Sequence, residues 1–337
     1  MRNTTWYVLS AVGVFMVFCN TGLSQTAYEG AAWVQEYGYS GCIELSNETT
    51  RVVLEPNCGG RVIEYSLHGT NALFVDPEQN GWTYTPGKNG IGPCGGRFDI
   101  GPERTGPRRT ALWLGKWSAE ITGPRAARLT SVEDASSGVQ LIREFRLDSK
   151  SSHLSCTQHI KNISDETKQY FHWSRTFAGG GGICLVPLTP GSRFPEGYII
   201  YQPARSPNSM NFRPDDHPNV TVRDGFLEIT GTPPFPKFGF DSYAGWFAYI
   251  SRNDLLFVKK FPVYPERVYG EMAALTVSIW YVDDRCELEP IGPRETLKSG
   301  ESASFTEEWW LFPYEYPRRG EKVNLDDLEE YVQKNAD

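Results

Sequence analysis

The sequence predicts an all-β protein, an antiparallel sandwich, jelly roll or barrel with one short C-terminal helix, and three observations predict it. Short runs rich in Val, Ile, Thr, Tyr, Phe and Trp follow one another along the chain. Clusters of Asp, Asn, Gly and Ser divide them at spacings too short for alternating helices. No long helical periodicity interrupts the pattern before Asn324.

Taken in order, strands are expected over 51–54, 61–67, 129–132, 139–147, 154–162, 168–176, 226–230, 246–251, 255–260, 275–281 and 303–312. Within 61–67, alternation puts Ile63, Tyr65 and Leu67 on one face and Glu64, Ser66 and His68 on the other, the pattern of a half-buried sheet. The stretch 129–176 reads as a meander with polar turns at 133–138, 148–152 and 164–167. Asp224-Gly225 signals a hairpin, because that pair readily takes the positive φ angles of a tight primed turn. At the end, Asn324 can cap a helix over 325–334. Leu325, Leu328 and Val332 share a face there, and acidic residues crowd the first turn.

The chain opens with Arg2, two threonines and an apolar run from Trp6 to Cys19, too short to span a bilayer and followed by the small-residue stretch Thr21-Gly22-Leu23-Ser24. This reads as a signal peptide over 1–24, and it predicts a secreted or periplasmic protein with no membrane span after cleavage. Residues 25–337 contain no Gly/Ser linker or low-complexity tract and read as one domain. Of seven cysteines, the six beyond Cys19 permit disulfides without dictating a pairing. In a chain this long they are expected to be buried small hydrophobes, with room for one bridge.

A formal charge of −8 argues against a nucleic-acid partner. The arginines are nevertheless concentrated, with Arg97, Arg104, Arg108, Arg109, Arg125 and Arg128 close together in the sequence. The guanidinium fork suits a carboxylate or sulfate, so this segment points to an anionic ligand.

Three stretches carry a family resemblance. Leu54-Glu55-Pro56-Asn57-Cys58-Gly59-Gly60-Arg61-Val62-Ile63-Glu64-Tyr65, Gly95-Gly96-Arg97-Phe98-Asp99-Ile100 and Cys286-Glu287-Leu288-Glu289-Pro290 occur in that order. The last is followed by Thr296-Leu297-Lys298-Ser299-Gly300-Glu301-Ser302. Together they resemble the aldose 1-epimerase (galactose mutarotase) superfamily, and the closest likeness is to a secreted branch of it. The resemblance implies a galactose mutarotase-like β-supersandwich, a catalytic base at Glu289 and a sugar-contacting arginine at Arg97. Two departures weigh against authentic mutarotase activity. Where the epimerases carry their first histidine this chain reads Ala111-Leu112-Trp113-Leu114-Gly115-Lys116-Trp117, and the second survives only as His172, at a shifted position.

The residues support proton-transfer chemistry on a sugar. Glu289 is the expected base, and His172, or a tyrosine, the expected acid, since imidazole titrates near neutrality. Arg97 is the expected ligand anchor, with Arg104, Arg109 and Arg175 as further anion contacts. Alternation puts His172 and Ser174 with Tyr170, and Trp173 and Arg175 on the other face. Trp113 is among ten tryptophans that can offer a stacking face, and Lys237 and Asp241 belong to a mixed charged, glycine and aromatic segment at a strand entry. Gly179-Gly180-Gly181-Gly182 is not followed by a helix pattern, which removes a nucleotide reading. No cofactor or metal is called for. Three functions stay open: an enzyme acting on an acidic sugar or oligosaccharide by elimination or dehydration, an aldose 1-epimerase, or a non-catalytic carbohydrate-binding or cell-envelope protein.

Overall fold

The computed structural model describes residues 1, 28–103, 106–202, 209–318 and 321–336. The predicted signal peptide apart from Met1, Cys19 with it, and Arg104 lie outside the described residues.

Two antiparallel sheets face each other. The larger has thirteen strands and runs Ala31–Glu36, Tyr39–Ser46, Thr50–Glu55, Arg61–Leu67, Gly96–Gly101, Lys168–Gly179, Arg285–Pro290, Val277–Val282, Lys237–Phe240, Ile199–Tyr201, Met210–Asn211, with two short strands beside this path. The ten-stranded sheet centres on Trp246–Ser251, Leu255–Lys260, Ser302–Pro313, Leu154–Asn162 and Val139–Leu147. All eleven predicted strands are present, five with the predicted ends and six with ends shifted by one to three residues. Ile183–Pro187, Lys237–Phe240 and Arg285–Pro290 were not among them. The first is an apolar run crowded between four glycines and a proline, the second is short and holds Gly239, and the third is rich in glutamate; glycine, proline and glutamate are depleted in strands.

Apolar side chains from both inner faces, including Tyr65, Phe98, Leu141, Phe257, Leu288 and Trp309, fill the space between the sheets. One buried ion pair interrupts this apolar layer. Lys259 Nζ lies 2.8 Å from Glu307, 3.0 Å from Thr176 Oγ1, 3.3 Å from Ser174 Oγ and 3.4 Å from the Leu288 carbonyl, with both charged side chains fully buried.

The Arg61–Leu67 strand corrects one expectation. It is buried on both faces, and Ile63 does not share a face with Tyr65. Val53 pairs with Glu64 and Leu54 with Val62, so Ile63 is the extra residue of a bulge. It packs with Tyr39, Cys42 and Val53, while Val62 and Tyr65 join the main core.

The Asp224-Gly225 turn has φ of 48° and 79° and joins Val220–Arg223 to Phe226–Ile229, as the dipeptide predicts. The helix Leu325–Asn335 is capped by the Asn324 side chain. It packs Leu325, Leu328 and Val332 on Leu185, Trp246 and Trp310 of the smaller sheet. The six described cysteines are all buried and unbridged. Among the described residues no helix is long and apolar enough to cross a membrane.

Candidate functional site

The outer face of the larger sheet gathers charge where the three family-like stretches meet. Arg175 stands opposite Arg97 across the pairing of Lys168–Gly179 with Gly96–Gly101, and Trp173 stands opposite Asp99. On the other flank Phe177 pairs with Glu287. The next strand puts Trp280 beside Glu287 and Ser278 beside Glu289, and Lys237 pairs with Trp280 one strand further out. Period-two alternation then aims Arg97, Asp99, Trp173, Arg175, Glu287, Glu289 and Lys237 to one side.

Two arginines directly opposite each other repel, and neighbouring acids offset this. Asp99 is fully buried and receives Arg109 in a two-pronged bond, Nε to Oδ1 at 2.7 Å and Nη2 to Oδ2 at 3.0 Å. Burial opposes ionisation of Asp99, but Arg109, Arg175 and Arg97 together hold its carboxyl below the usual range. Arg175 lies 2.7 Å from Glu103, 3.6 Å from Asp99 and 3.8 Å from Glu287. Among the described residues Arg97 has no ion-pair partner, and its buried Nε and Nη1 make no hydrogen bond. Its guanidinium instead lies 4.4 Å from the centre of the Trp113 ring, which also approaches Arg109 at 5.4 Å and Arg175 at 5.6 Å.

The glycine pair of the first stretch places Trp113. Gly59 and Gly60 both have positive φ, and a Cβ on Gly59 would sit 2.1 Å from the Trp113 carbonyl, one on Gly60 2.5 Å from the Trp117 ring. Only glycines let the Thr110–Leu114 helix and its continuation press onto this hairpin. A cleft of about 400 Å³ opens beside it along Glu103, Gly106, Arg108, Arg109 and Trp113.

Glu287 and Glu289 are two residues apart on one strand and project from the same face. Glu289 accepts a hydrogen bond from Trp173 Nε1 at 2.6 Å and lies 3.3 Å from Lys237 Nζ. Burial works against its charge, but Lys237, Arg175 and the bonds from Glu287 and Trp173 keep it ionised, with its pKa below the usual carboxylate range. Glu287 takes the opposite direction. Burial first, and the charge of Glu289 second, raise its pKa, with Arg175 only partly compensating, so the proton of the pair rests on Glu287. Beyond Lys237, the buried Tyr201 donates its hydroxyl to Glu271 at 3.2 Å.

His172 is a correction. It points between the sheets, fully buried and stacked between Phe98 and Phe305 at 5.6 and 5.7 Å, on the face opposite Trp173 and Arg175. Burial pushes its pKa down to about 3. The backbone of Ala303 and of Gln158 approaches the ring, yet neither ring nitrogen makes a hydrogen bond of normal geometry among the described residues. A neutral core histidine on the far side of the strand cannot serve Glu289 as an acid, and strand alternation is the reason. Asp241 is also committed elsewhere: it accepts from Ser192 Oγ at 2.6 Å and from Arg193 N at 2.8 Å, fastening a loop. Arg125 and Arg128 pair with Glu29 and Glu144, so among the described arginines of this segment Arg97 and Arg109 reach the cluster, and Arg108 lines the cleft beside it. Sequence reasoning missed Glu287, Asp99, Glu103 and Tyr201 as site residues. The two-residue spacing from Glu289 was the signal that could have found Glu287.

No family model matches the chain, and no curated protein matches it in sequence. Solved structures do match it in fold. A protein of Escherichia coli K12, described provisionally as an aldose 1-epimerase, superposes with a TM-score of 0.57 at 12% identity over 80% of this chain and 98% of its own. A Klebsiella pneumoniae protein described in the same provisional way gives 0.54 at 13% over 91% and 87%. A galactose mutarotase-like protein of Lactobacillus casei gives 0.53 at 12% over 81% and 100%. The chain therefore has the galactose mutarotase-like all-β fold. The expected resemblance holds at the level of architecture.

Proposed function

We propose that this protein is a secreted or periplasmic enzyme that moves protons on an anionic sugar, with Glu289 as base and Glu287 as acid. The observation that carries the reading is the carboxylate pair itself: one member held ionised by Trp173 and Lys237, its neighbour on the same face holding the proton. Two carboxyls whose surroundings drive their pKa values apart form an acid and a base at neutral pH. Arg97, buried with free N–H groups, supports recognition of a carboxylate or sulfate on the ring. The N-terminal apolar run supports export.

For a uronate the chemistry is β-elimination. Glu289 takes the proton on the carbon next to the carboxylate, and the electron pair of that C–H bond forms the new C=C bond. The adjacent C–O bond breaks, and the leaving oxygen takes the proton of Glu287. Arg97 faces the carboxylate, where negative charge develops in the transition state. Base and acid lie on one side of the ring, so hydrogen and leaving group depart from the same face. Aldose 1-epimerisation is the second reading, favoured by the fold and by the position of Glu289. The same pair would then act on the anomeric hydroxyl and the ring oxygen.

The test is incubation of the mature protein with uronate oligosaccharides and, separately, with free aldoses. The first is followed by the ultraviolet absorbance of unsaturated uronate and product mass, the second by polarimetry. An unsaturated product that disappears in Glu289→Gln, with ligand binding retained, supports elimination. Accelerated anomer exchange without a mass change selects the epimerase reading. Neither activity in the wild-type protein, or full activity in Glu289→Gln, overturns the assignment.

A further inference from the structure

The charged face continues past Glu287 to a second cation that the proposed chemistry does not use. Phe177, Glu287 and Trp280 stand side by side across three neighbouring strands. Two residues before Glu287 in the same strand, Arg285 lays its guanidinium over three rings, 5.0 Å from the centre of Phe74, 5.8 Å from Trp280 and 5.9 Å from Phe177. Phe74 is fixed there because its N–H donates to the Phe177 carbonyl at 2.8 Å and its own carbonyl accepts from Gly95 at 3.0 Å. The nearest carboxylate to Arg285 is its chain neighbour Asp284, 3.4 Å from Nε, and the guanidinium donates no hydrogen bond among the described residues. Its side chain is 29% exposed, and Phe74 and Trp280 are half-buried.

These residues combine what an anionic sugar ring requires. The rings give flat apolar area at low entropic cost, and the guanidinium, pre-set by stacking and facing Asp284 only through Nε, keeps its two Nη groups for a carboxylate or sulfate. Arg109, by contrast, spends its donors within the protein, on Asp99 and on the Ile100 and Pro107 carbonyls. Arg285 and Glu289 are four residues apart in one extended strand, about 13 Å at the usual rise. That separation exceeds one pyranose ring.

We propose that Arg285, Phe74, Phe177 and Trp280 form a second subsite for an anionic sugar residue, so that the substrate is an anionic oligosaccharide and not a monosaccharide. This rests on placing the chemistry at Glu287 and Glu289. The subsite holds a neighbouring ring and takes no part in proton transfer.

The experiment is calorimetric titration of the mature protein with a uronate series from mono- to tetrasaccharide, a sulfated galactan series of the same lengths, and the carboxyl-reduced uronates. Affinity rises about tenfold or more from mono- to trisaccharide in one anionic series, the scale of one charge-assisted contact. Whichever series shows the rise identifies carboxylate or sulfate, and the reduced uronates lack it. Arg285→Ala flattens the dependence on length while monosaccharide affinity stays at the wild-type value, and Arg285→Lys recovers part of the gain. An unchanged melting temperature shows that the variants fold. Equal affinity for all lengths, an undiminished gain in Arg285→Ala, or no binding of any anionic oligosaccharide overturns the subsite. An Arg285-dependent gain without turnover leaves the subsite standing and removes the proposed chemistry; turnover with a neutral Arg285→Ala does the reverse.

Discussion

Trp173 donates its indole N–H to Glu289 at 2.6 Å, and that bond helps decide which of two neighbouring carboxylates keeps a proton. Glu287, two residues away, receives no comparable donor among the described residues; its nearest cation is Arg175 at 3.8 Å. Trp173→Phe keeps an aromatic ring and removes the donor. The expected result is an upward shift of the acidic limb of the pH–rate profile, because the charged form of Glu289 loses support, together with a loss of about 1–3 kcal/mol of stability from a buried charge-assisted bond. An unmoved acidic limb in an active variant would show that Trp173 does not tune the pair.

The proton on Glu287 sets the alkaline limit. Its pKa is raised to about 8 by burial and by the charge of Glu289, so the acid form persists through neutrality and is lost as pH rises past that value. Turnover should fall on the alkaline side accordingly, and Glu287→Gln should remove this limb along with most of the rate. A rate that stays level to well above pH 8 in the wild-type protein counts against Glu287 as the acid.

His172 provides a stability test separate from activity. Its folded pKa of about 3 lies below the ordinary histidine value of 6.5, so between these values the unfolded chain binds a proton that the folded chain refuses. Stability is complete above about 6.5 and is lost as pH falls toward 3, by up to ~1.4 kcal/mol per pH unit. His172→Phe, which suits the stack between Phe98 and Phe305, should flatten this slope in denaturant titrations across pH and leave turnover intact. Loss of turnover in a folded variant would restore His172 to the mechanism.

The Lys259–Glu307 pair behind the site should behave as a unit. Lys259→Met strands a fully buried Glu307 and is expected to cost roughly 3–5 kcal/mol. Adding Glu307→Gln neutralises the stranded charge while keeping a side chain that can still meet Gln158 and Trp309, so the double variant should be more stable than the single one. Chemical denaturation of the wild-type protein, both single variants and the double variant measures this, and strictly additive losses would mean the two charges are not coupled.

Much of the fold is legible in the chain. The β-rich runs, the Asp224-Gly225 turn and the Asn324 cap are local signals, set by backbone preferences over a few residues, and the structure carries all three. Alternation alone separates His172 from Arg175, because side chains an odd number of residues apart on a strand point to opposite faces. The bulge at Ile63 is not legible in the same way, since an extra residue shows only against its partner strand.

What the sequence determined by itself is which side chains share a face of a predicted strand: Trp173 with Arg175, and His172 with Tyr170 and Ser174. Only the tertiary structure made a strand of Arg285–Pro290, set Glu287 and Glu289 on one face of it and brought that face beside Trp173. Trp173 and Glu289 are 116 residues apart in the chain, and their contact depends on the order in which distant strands pair within the larger sheet. Arg97 lies next to Arg175 for the same reason, and Trp113 covers it because Gly59 and Gly60 let another segment approach. Local sequence specifies the direction of a side chain; strand order and close packing specify its neighbours. A shifted pKa depends on those neighbours, so the acid and the base could be told apart only in the folded chain.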